Sequence, residues 1–431
     1  MRLLSGNTLA ALATALLLTA PLAALTPAAP AELGLSAERL ARIDRVFEDY
    51  VADGALPGAV VLVARDGHIA HLGAYGELDR EANTPMPEDA LFRIASQTKA
   101  IVSVGILMLQ EEGKLLIGDP VHQYLPAFEN STVAEPREDG GYDVVRAKRP
   151  ITLRDLLTHT AGIGYGGGLA AAEWEAAGIQ DWYFADRDEP IRATIDRLAT
   201  LPQEGHPGER FVYGYSTDIL GAVIEVASGQ PLDVFLEERV FTPLGMEDTH
   251  FFVPAEKADR LAVVYSKEDD SPLTRAPAEG TMQAQGHYLE GPRRSFSGGA
   301  GLVSTARDYG VFLQMLLDGG IYEGARLLSP NTVKLMTVDH LPREGMFPWA
   351  PGQGFGLGFA ITQDVGRHGE PGSVGVFEWG GAYHSKYWVD PVENLLVVYF
   401  TQVIPADGLD DHGKLRALVY QAITESRAQT P

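Results

Sequence analysis

The chain has 431 residues, with 34 Lys and Arg against 58 Asp and Glu, a formal charge of −24 and no cysteine. That balance argues against nucleic acid and anionic membrane surfaces as partners, because both need basic patches. Without thiols there are no disulfides and no thiolate chemistry, so the fold must rest on its core, for which this length is ample.

The N-terminus reads as a targeting segment. Arg2 is followed by apolar Thr8 to Leu18 and a small-x-small step at Ala29-Pro30-Ala31, which predicts an export signal over residues 1–31 with cleavage near Ala31. Pro21, Pro27 and Pro30 argue against a spanning helix, and no later stretch reaches membrane-spanning length, so stable membrane insertion is not expected. The expected location is periplasmic or secreted.

Leu40, Ile43, Phe47 and Val51 recur at helical spacing between Ser36, a candidate N-cap, and Gly54, a stop. Ala59 to Arg65, Asp66-Gly67 and His68 to Tyr75 predict a hairpin with a type I′ turn. Then comes Ser96-Gln97-Thr98-Lys99, opening a helix whose next ten residues, Ala100 to Leu109, offer no polar face. A helix apolar all round is buried. This one carries a hydroxyl and an amine at i and i+3, neighbours on one face. Lysine in dry surroundings gives up its proton more readily and can act as a base, and a serine hydroxyl becomes a useful nucleophile beside such a base. Ser96 is the only serine in the chain with lysine three residues on.

Beyond it, residues 115–290 are rich in loops and short helices, with breaks at Glu135–Gly141, Gly162–Gly168 and Glu204–Glu209. Helices are predicted over Ser216 to Gly229, Leu232 to Val240 and Ser304 to Leu317, the last capped by Ser304. From Gly354 the pattern changes to strands: Phe355 to Thr362, Val374 to Trp379, Tyr383 to Val389 and Leu395 to Gln402, closed by a helix over Lys414 to Glu425. The order predicts an α+β fold, an antiparallel sheet flanked by helices. Residues 32–114 and 291–431 would form the sheet domain, with 115–290 inserted as a mostly helical domain.

Two further places bear on chemistry. Tyr213 and Tyr215 precede the helix at Ser216, and a tyrosine near a lysine can serve as base and then acid, since a cation favours phenolate. Trp379-Gly380-Gly381-Ala382 puts two glycines within a predicted strand, a mark of close approach by a backbone or a ligand. An extended substrate lying there could place its carbonyl oxygen between the N–H groups of Ser96 and Ala382. Competing signatures are missing: no Gly-x-Ser-x-Gly elbow and no His-Glu-x-x-His occur. His68 and His71 fall on opposite strand faces, so no shared metal is expected. His159 reads as a satisfied structural histidine, His384 as a strand-surface residue and Gly162–Gly168 as a mobile rim loop.

Together, Leu91 to Lys99, Ile151 to Gly162, Pro243-Leu244-Gly245-Met246 and Gly298-Gly299-Ala300-Gly301-Leu302 resemble the serine β-lactamase and penicillin-binding-protein superfamily. The resemblance runs from about Leu35 to the C-terminal helix and is nearest to family VIII carboxylesterases. It implies Ser96 as the acylated nucleophile, Lys99 as its partner, Tyr213 as the catalytic tyrosine and Trp379-Gly380-Gly381 as the third motif. Ala382 takes the place that donates the second oxyanion N–H. Two departures decide the subfamily: Tyr215 stands where many β-lactamases have asparagine, and Trp379 where they have a charged or histidine side chain. An indole suits a neutral or aryl ester.

The expectation is therefore an exported serine hydrolase that cleaves small-molecule carboxylic esters through an acyl-enzyme, without cofactor or metal. A class C-like β-lactamase or D-amino-acid peptidase and a non-catalytic penicillin-binding-like protein are the alternatives. Acyl transfer to an alcohol would use the same residues. Nothing in the sequence sets an oligomeric state.

Overall fold

The computed structural model describes residues 24–268, 271–278 and 282–428. Most of the expected export signal, residues 1–23, lies outside the described residues. Its last part is built into the molecule. Thr26–Pro27 (β1) pairs in parallel with His68–Ile69. Leu25 is fully buried and its N–H donates to the Tyr322 hydroxyl at 3.0 Å.

A nine-stranded sheet organises the fold. Its strands are β1, Gly58–Arg65 (β2), His68–Asp79 (β3), Thr84–Pro85 (β4), Gln353–Phe355 (β5), Ala360–Thr362 (β6), Phe377–Gly380 (β7), Lys386–Asp390 (β8) and Leu395–Phe400 (β9). The spatial order is β1-β3-β2-β9-β8-β7-β6-β5, with β4 paired to β3. All of these pairings except that of β1 are antiparallel. The β2–β3 turn has Asp66 at φ 53° and Gly67 at φ 76°, both left-handed as a type I′ turn requires.

Both faces of β2 are buried, and alternate residues serve different layers. Val61 and Val63 face a cluster with Ile43, Phe47, Leu415 and Val419, from helices Ala37–Ala52 (α1) and Asp411–Tyr420. Val60, Leu62 and Ala64 face the larger core. That core holds Thr98–Glu111 (α2), Ser216–Ser228 (α3) and Ala306–Leu317 (α4), and the C-terminal Asp411–Tyr420 becomes α5. α1 is capped by Ser36, as expected. α4 is capped by Thr305 and not Ser304: the Thr305 hydroxyl accepts the Asp308 N–H.

The strand expected over Phe355–Thr362 is a hairpin instead. Gly358 has φ 113°, and a Cβ there would lie 2.6 Å from Ser103 Oγ of α2, so the chain must bend where it crosses that helix. The strand expected from Tyr383 starts only at Lys386, because His384 is left-handed at φ 66° and forms a turn. The C-terminal helix spans 411–420 and not 414–425.

Within 115–290, α3 packs against α2 and the short helix Leu153–Leu157. The same stretch also contains a small hairpin, Thr132–Pro136 with Tyr142–Arg146. Tyr265–Lys267 pairs with Val403–Ala406, tying this part of the chain to the sheet half.

Candidate active site

Ser96 sits in a single 3₁₀ turn, Ala95–Gln97, at the head of α2. Ala95 is left-handed at φ 43°, a conformation that strains a residue with a side chain, and the strain falls one position before the serine. The turn is pinned on several sides. Gln97 Nε2 donates to Ser385 Oγ at 3.0 Å, the Tyr309 hydroxyl donates to the Gln97 carbonyl at 2.9 Å, and the Leu302 N–H donates to Thr98 Oγ1 at 3.1 Å.

Lys99 is fully buried one helical turn on. Its ammonium donates to Ser96 Oγ at 3.2 Å, the Tyr165 hydroxyl at 3.2 Å and the Gly299 carbonyl at 2.7 Å. It lies 4.6 Å from the centre of the Tyr213 ring. The Tyr213 hydroxyl takes a hydrogen bond from Trp379 Nε1 at 3.0 Å. Ser96, Lys99 and Tyr213 are thus brought together, with Lys99 as the group touching the serine oxygen. The Tyr213 ring faces the ammonium while its hydroxyl is held by the indole.

The glycines beside Trp379 have a steric role. A Cβ on Gly381 would lie 2.4 Å from Ser385 Oγ and 2.5 Å from the Ile94 carbonyl. Only a glycine lets the end of β7 approach the segment that leads into Ser96. Beyond it the Ala382 N–H meets no acceptor among the described residues. Trp379, Gly380, Gly381 and Ala382 line one cavity of about 530 Å³ with Ser96, Tyr165 and Tyr213.

Tyr215 is the exception among the expected site residues. It does not reach this cavity: it is fully buried, stacks on Trp174 and Phe184, and its hydroxyl donates to the Asp181 carbonyl. Its ring supports Tyr165 edge-on at 4.9 Å. The place of the asparagine has become packing beneath the site.

Three neighbours of the site differ from expectation. The Gly162–Gly168 stretch is packed against its surroundings: a Cβ on Gly162 would lie 1.9 Å from the Gly205 carbonyl oxygen, and one on Gly214 2.3 Å from the Gly164 backbone. It delivers Tyr165 to Lys99. Burial, with the neighbouring Tyr213, holds the Tyr165 phenol well above its ordinary range, so it stays neutral as it accepts from Lys99. His159 is buried but not satisfied, since neither ring nitrogen has a partner among the described residues. Its ring lies 4.5 Å from that of Tyr213, and burial, then Lys99, push its pKa well below the ordinary value. His384 is not a surface residue: Nε2 bonds Asp411 at 2.8 Å and the ring stacks on His412 at 4.1 Å.

His384, Asp411 and His412 are the one group among the described residues with metal-type ligand atoms within 4.8 Å of one another. Both Asp411 oxygens and the Nε2 atoms of the two rings are hydrogen-bonded. The other Asp411 oxygen accepts from Tyr399, and His412 Nε2 bonds the His384 carbonyl at 3.1 Å.

The cavity has an aromatic wall and a charged floor. Trp349, 55% exposed, meets Tyr213 at 5.0 Å and Trp379 at 5.5 Å, with Phe347 beside them. At the floor, burial would raise the pKa of Glu378, but Lys386, at 2.8 Å, and Arg416 hold the carboxylate far below its usual range. Tyr165, Phe347 and Trp349 escaped the sequence reading. A lone aromatic among the glycines of 162–168 was the only signal for the first.

Comparison with known proteins bears on this site directly. The Beta-lactamase family model matches residues 43–421. Esterase EstB of Burkholderia gladioli is 34% identical over 390 residues, covering 86% of this chain and 93% of that protein. The lovastatin esterase of Penicillium rubens is 29% identical over 400 residues, covering 85% and 94%. Among solved structures, EstCE1, described as a hydrolase with promiscuous acyltransferase activity, superimposes with a TM-score of 0.77 at 29% identity, covering 89% of this chain and 99% of that one.

Proposed function

This chain belongs to the beta-lactamase family, and from that premise we propose that it is a serine carboxylesterase in which Ser96, Lys99 and Tyr213 carry the chemistry. The observation that carries the reading is the Lys99 ammonium 3.2 Å from Ser96 Oγ, inside a cavity walled by aromatic rings. In its neutral form Lys99 takes the hydroxyl proton as Ser96 Oγ attacks the ester carbonyl. The N–H groups of Ser96 and Ala382 hold the oxyanion. Collapse breaks the bond to the alkoxide, and Tyr213 with Lys99 returns the proton to it, releasing the alcohol. Water then attacks the acyl-Ser96 by the same route in reverse and frees the carboxylic acid. No step calls for a cofactor or metal.

An ester fits this cavity better than a β-lactam or a peptide C-terminus, both of which carry a carboxylate. Its two cationic side chains, Lys386 and Arg416, are both bonded to Glu378, and an indole occupies the third motif. Export is part of the proposal, supported by Arg2 and the apolar run Thr8–Leu18.

The test is intact-mass analysis after a fluorophosphonate probe, with p-nitrophenyl butyrate and nitrocefin assayed side by side. One adduct on Ser96 is expected, and Ser96→Ala should cut ester turnover by at least about 10⁴-fold. Unchanged turnover in that variant removes Ser96 from the mechanism, and nitrocefin turnover near that of the ester overturns the substrate class.

A further inference from the structure

Lys99 forms no ion pair with any carboxylate among the described residues; the groups its ammonium touches are a hydroxyl, a phenol and a carbonyl. The acidic group nearest in electrostatic terms is Asp218, in the first turn of α3; burial pushes its carboxyl pKa up, while the Lys99 charge and the Ser297 and Gly299 donors oppose that rise and favour the carboxylate. The two are joined by a continuous line of hydrogen bonds. Lys99 Nζ donates to the Gly299 carbonyl at 2.7 Å. The N–H of the same peptide unit, that of Ala300, donates to Ser297 Oγ at 3.1 Å. Ser297 Oγ then donates to Asp218 Oδ1 at 2.5 Å, and the Gly299 N–H reaches that oxygen too, at 3.1 Å.

Every donor in this line points from the ammonium towards the carboxylate, so the dipoles add head to tail and each bond strengthens the next. The geometry also accounts for the glycine. A Cβ on residue 299 would lie 2.2 Å from Asp218 Oδ2, so any other residue would drive the loop off the carboxyl group. The remaining titratable groups around Lys99 and Asp218 are the Tyr165, Tyr213 and Tyr215 phenols and the His159 ring, none of them a carboxylate. A buried carboxylate needs a compensating charge or donors, and this line supplies both.

We propose that Asp218 and Ser297 are positioning residues that act in series, through the Gly299–Ala300 peptide, to hold the Lys99 ammonium beside Ser96 and to convey a negative charge to it. The proposal rests on the reading of Ser96 and Lys99 as nucleophile and base. Neither Asp218 nor Ser297 touches the cavity; both act through a carbonyl.

The experiment compares Asp218→Asn, Ser297→Ala, Ser297→Thr and the Asp218→Asn/Ser297→Ala double variant with wild type. It reads the acylation burst with p-nitrophenyl butyrate, the KM and the Tm. Each of the first two should slow acylation by roughly 10- to 100-fold, the size of a lost hydrogen bond to a charged group, with KM within about twofold. The double variant should be no slower than the slower single one, because one chain can be cut only once. Ser297→Thr should recover most of the rate. Losses that multiply, a loss confined to Tm or KM, or wild-type acylation in Asp218→Asn overturns the proposal. Asp218→Asn keeps the shape of the side chain and so remains informative should Ser297→Ala not fold. Ser96→Ala, run alongside, separates the two readings: its activity decides the function, and the relay stands or falls on the other variants.

Discussion

Lys99 is fully buried and uses its ammonium protons on three oxygen acceptors, whereas Trp349, 55% exposed, packs against the rings of Phe211, Tyr213, Phe347 and Trp379. Both contact Tyr213, and the contrast between them shows how the cleft divides its labour. The polar corner is fixed by directional bonds and by glycines that no other residue could replace. The aromatic wall is held by contacts that are broad, weakly directional and individually worth about 0.5–1.5 kcal/mol. A reacting group needs the first kind of support. A surface that accepts a family of acyl or aryl groups is better served by the second.

That division can be broken from either side. Lys99→Met should reduce acylation on the order of 10³-fold with every ester, since it removes the base while keeping the bulk; a stopped-flow burst measures it, and retention of more than a tenth of the rate would place the base elsewhere. Trp379→Phe removes the indole donor from the Tyr213 hydroxyl and keeps the ring. A loss of about tenfold in kcat is expected, again for all esters. Trp349→Ala should cost only severalfold in kcat/KM, and only for aryl esters such as naphthyl or p-nitrophenyl substrates, with small aliphatic esters unaffected. Equal losses for both substrate types would erase the distinction between the walls.

The mildest test is acid. His159 beneath Tyr213 has its pKa pushed well below 6.5, and burial pushes those of His250 and His412 down to about 4. The unfolded chain, with ordinary histidines, takes up protons first as the pH falls. The stability that neutral histidines contribute is therefore complete above about pH 6.5 and declines as the pH falls towards about 4. Tm recorded from pH 8 to pH 4 should be flat at first and then drop, with the protonation of buried Asp308, whose carboxyl pKa is pushed up to about 6, offsetting part of the fall.

The parts of this molecule that local pattern dictates were legible in the sequence. The apolar run Ala59–Ala64, the Asp66-Gly67 turn and the all-apolar face of Ala100–Leu109 point to the central hairpin and the buried helix. The four-residue step at its head led to Ser96 and Lys99. What stayed hidden depends on contacts between distant segments. Tyr165 reaches Lys99 only because the backbones of Gly164 and Gly214 touch, and no local signal marks that approach. Tyr215 was expected at the substrate because of its position in a motif, yet its hydroxyl has an acceptor at Asp181, 34 residues upstream. Gly299 could be noticed in a motif, but its reason is the Asp218 carboxyl group pressed against it.

The docking of Leu25–Pro27 has a consequence for the outer margin of the sheet. β3 borders β2 on one side, and on the other its His68–Ile69 end is covered by β1, with the Ala28 N–H closing onto the Ile69 carbonyl at 3.0 Å. A peptidase cutting at Ala31 would strip that cover and expose the His68–Ile69 end of β3 as an edge. Processing before Leu25 would keep the two-residue β1 in place, so the position of the cut decides whether the His68–Ile69 end of β3 is covered.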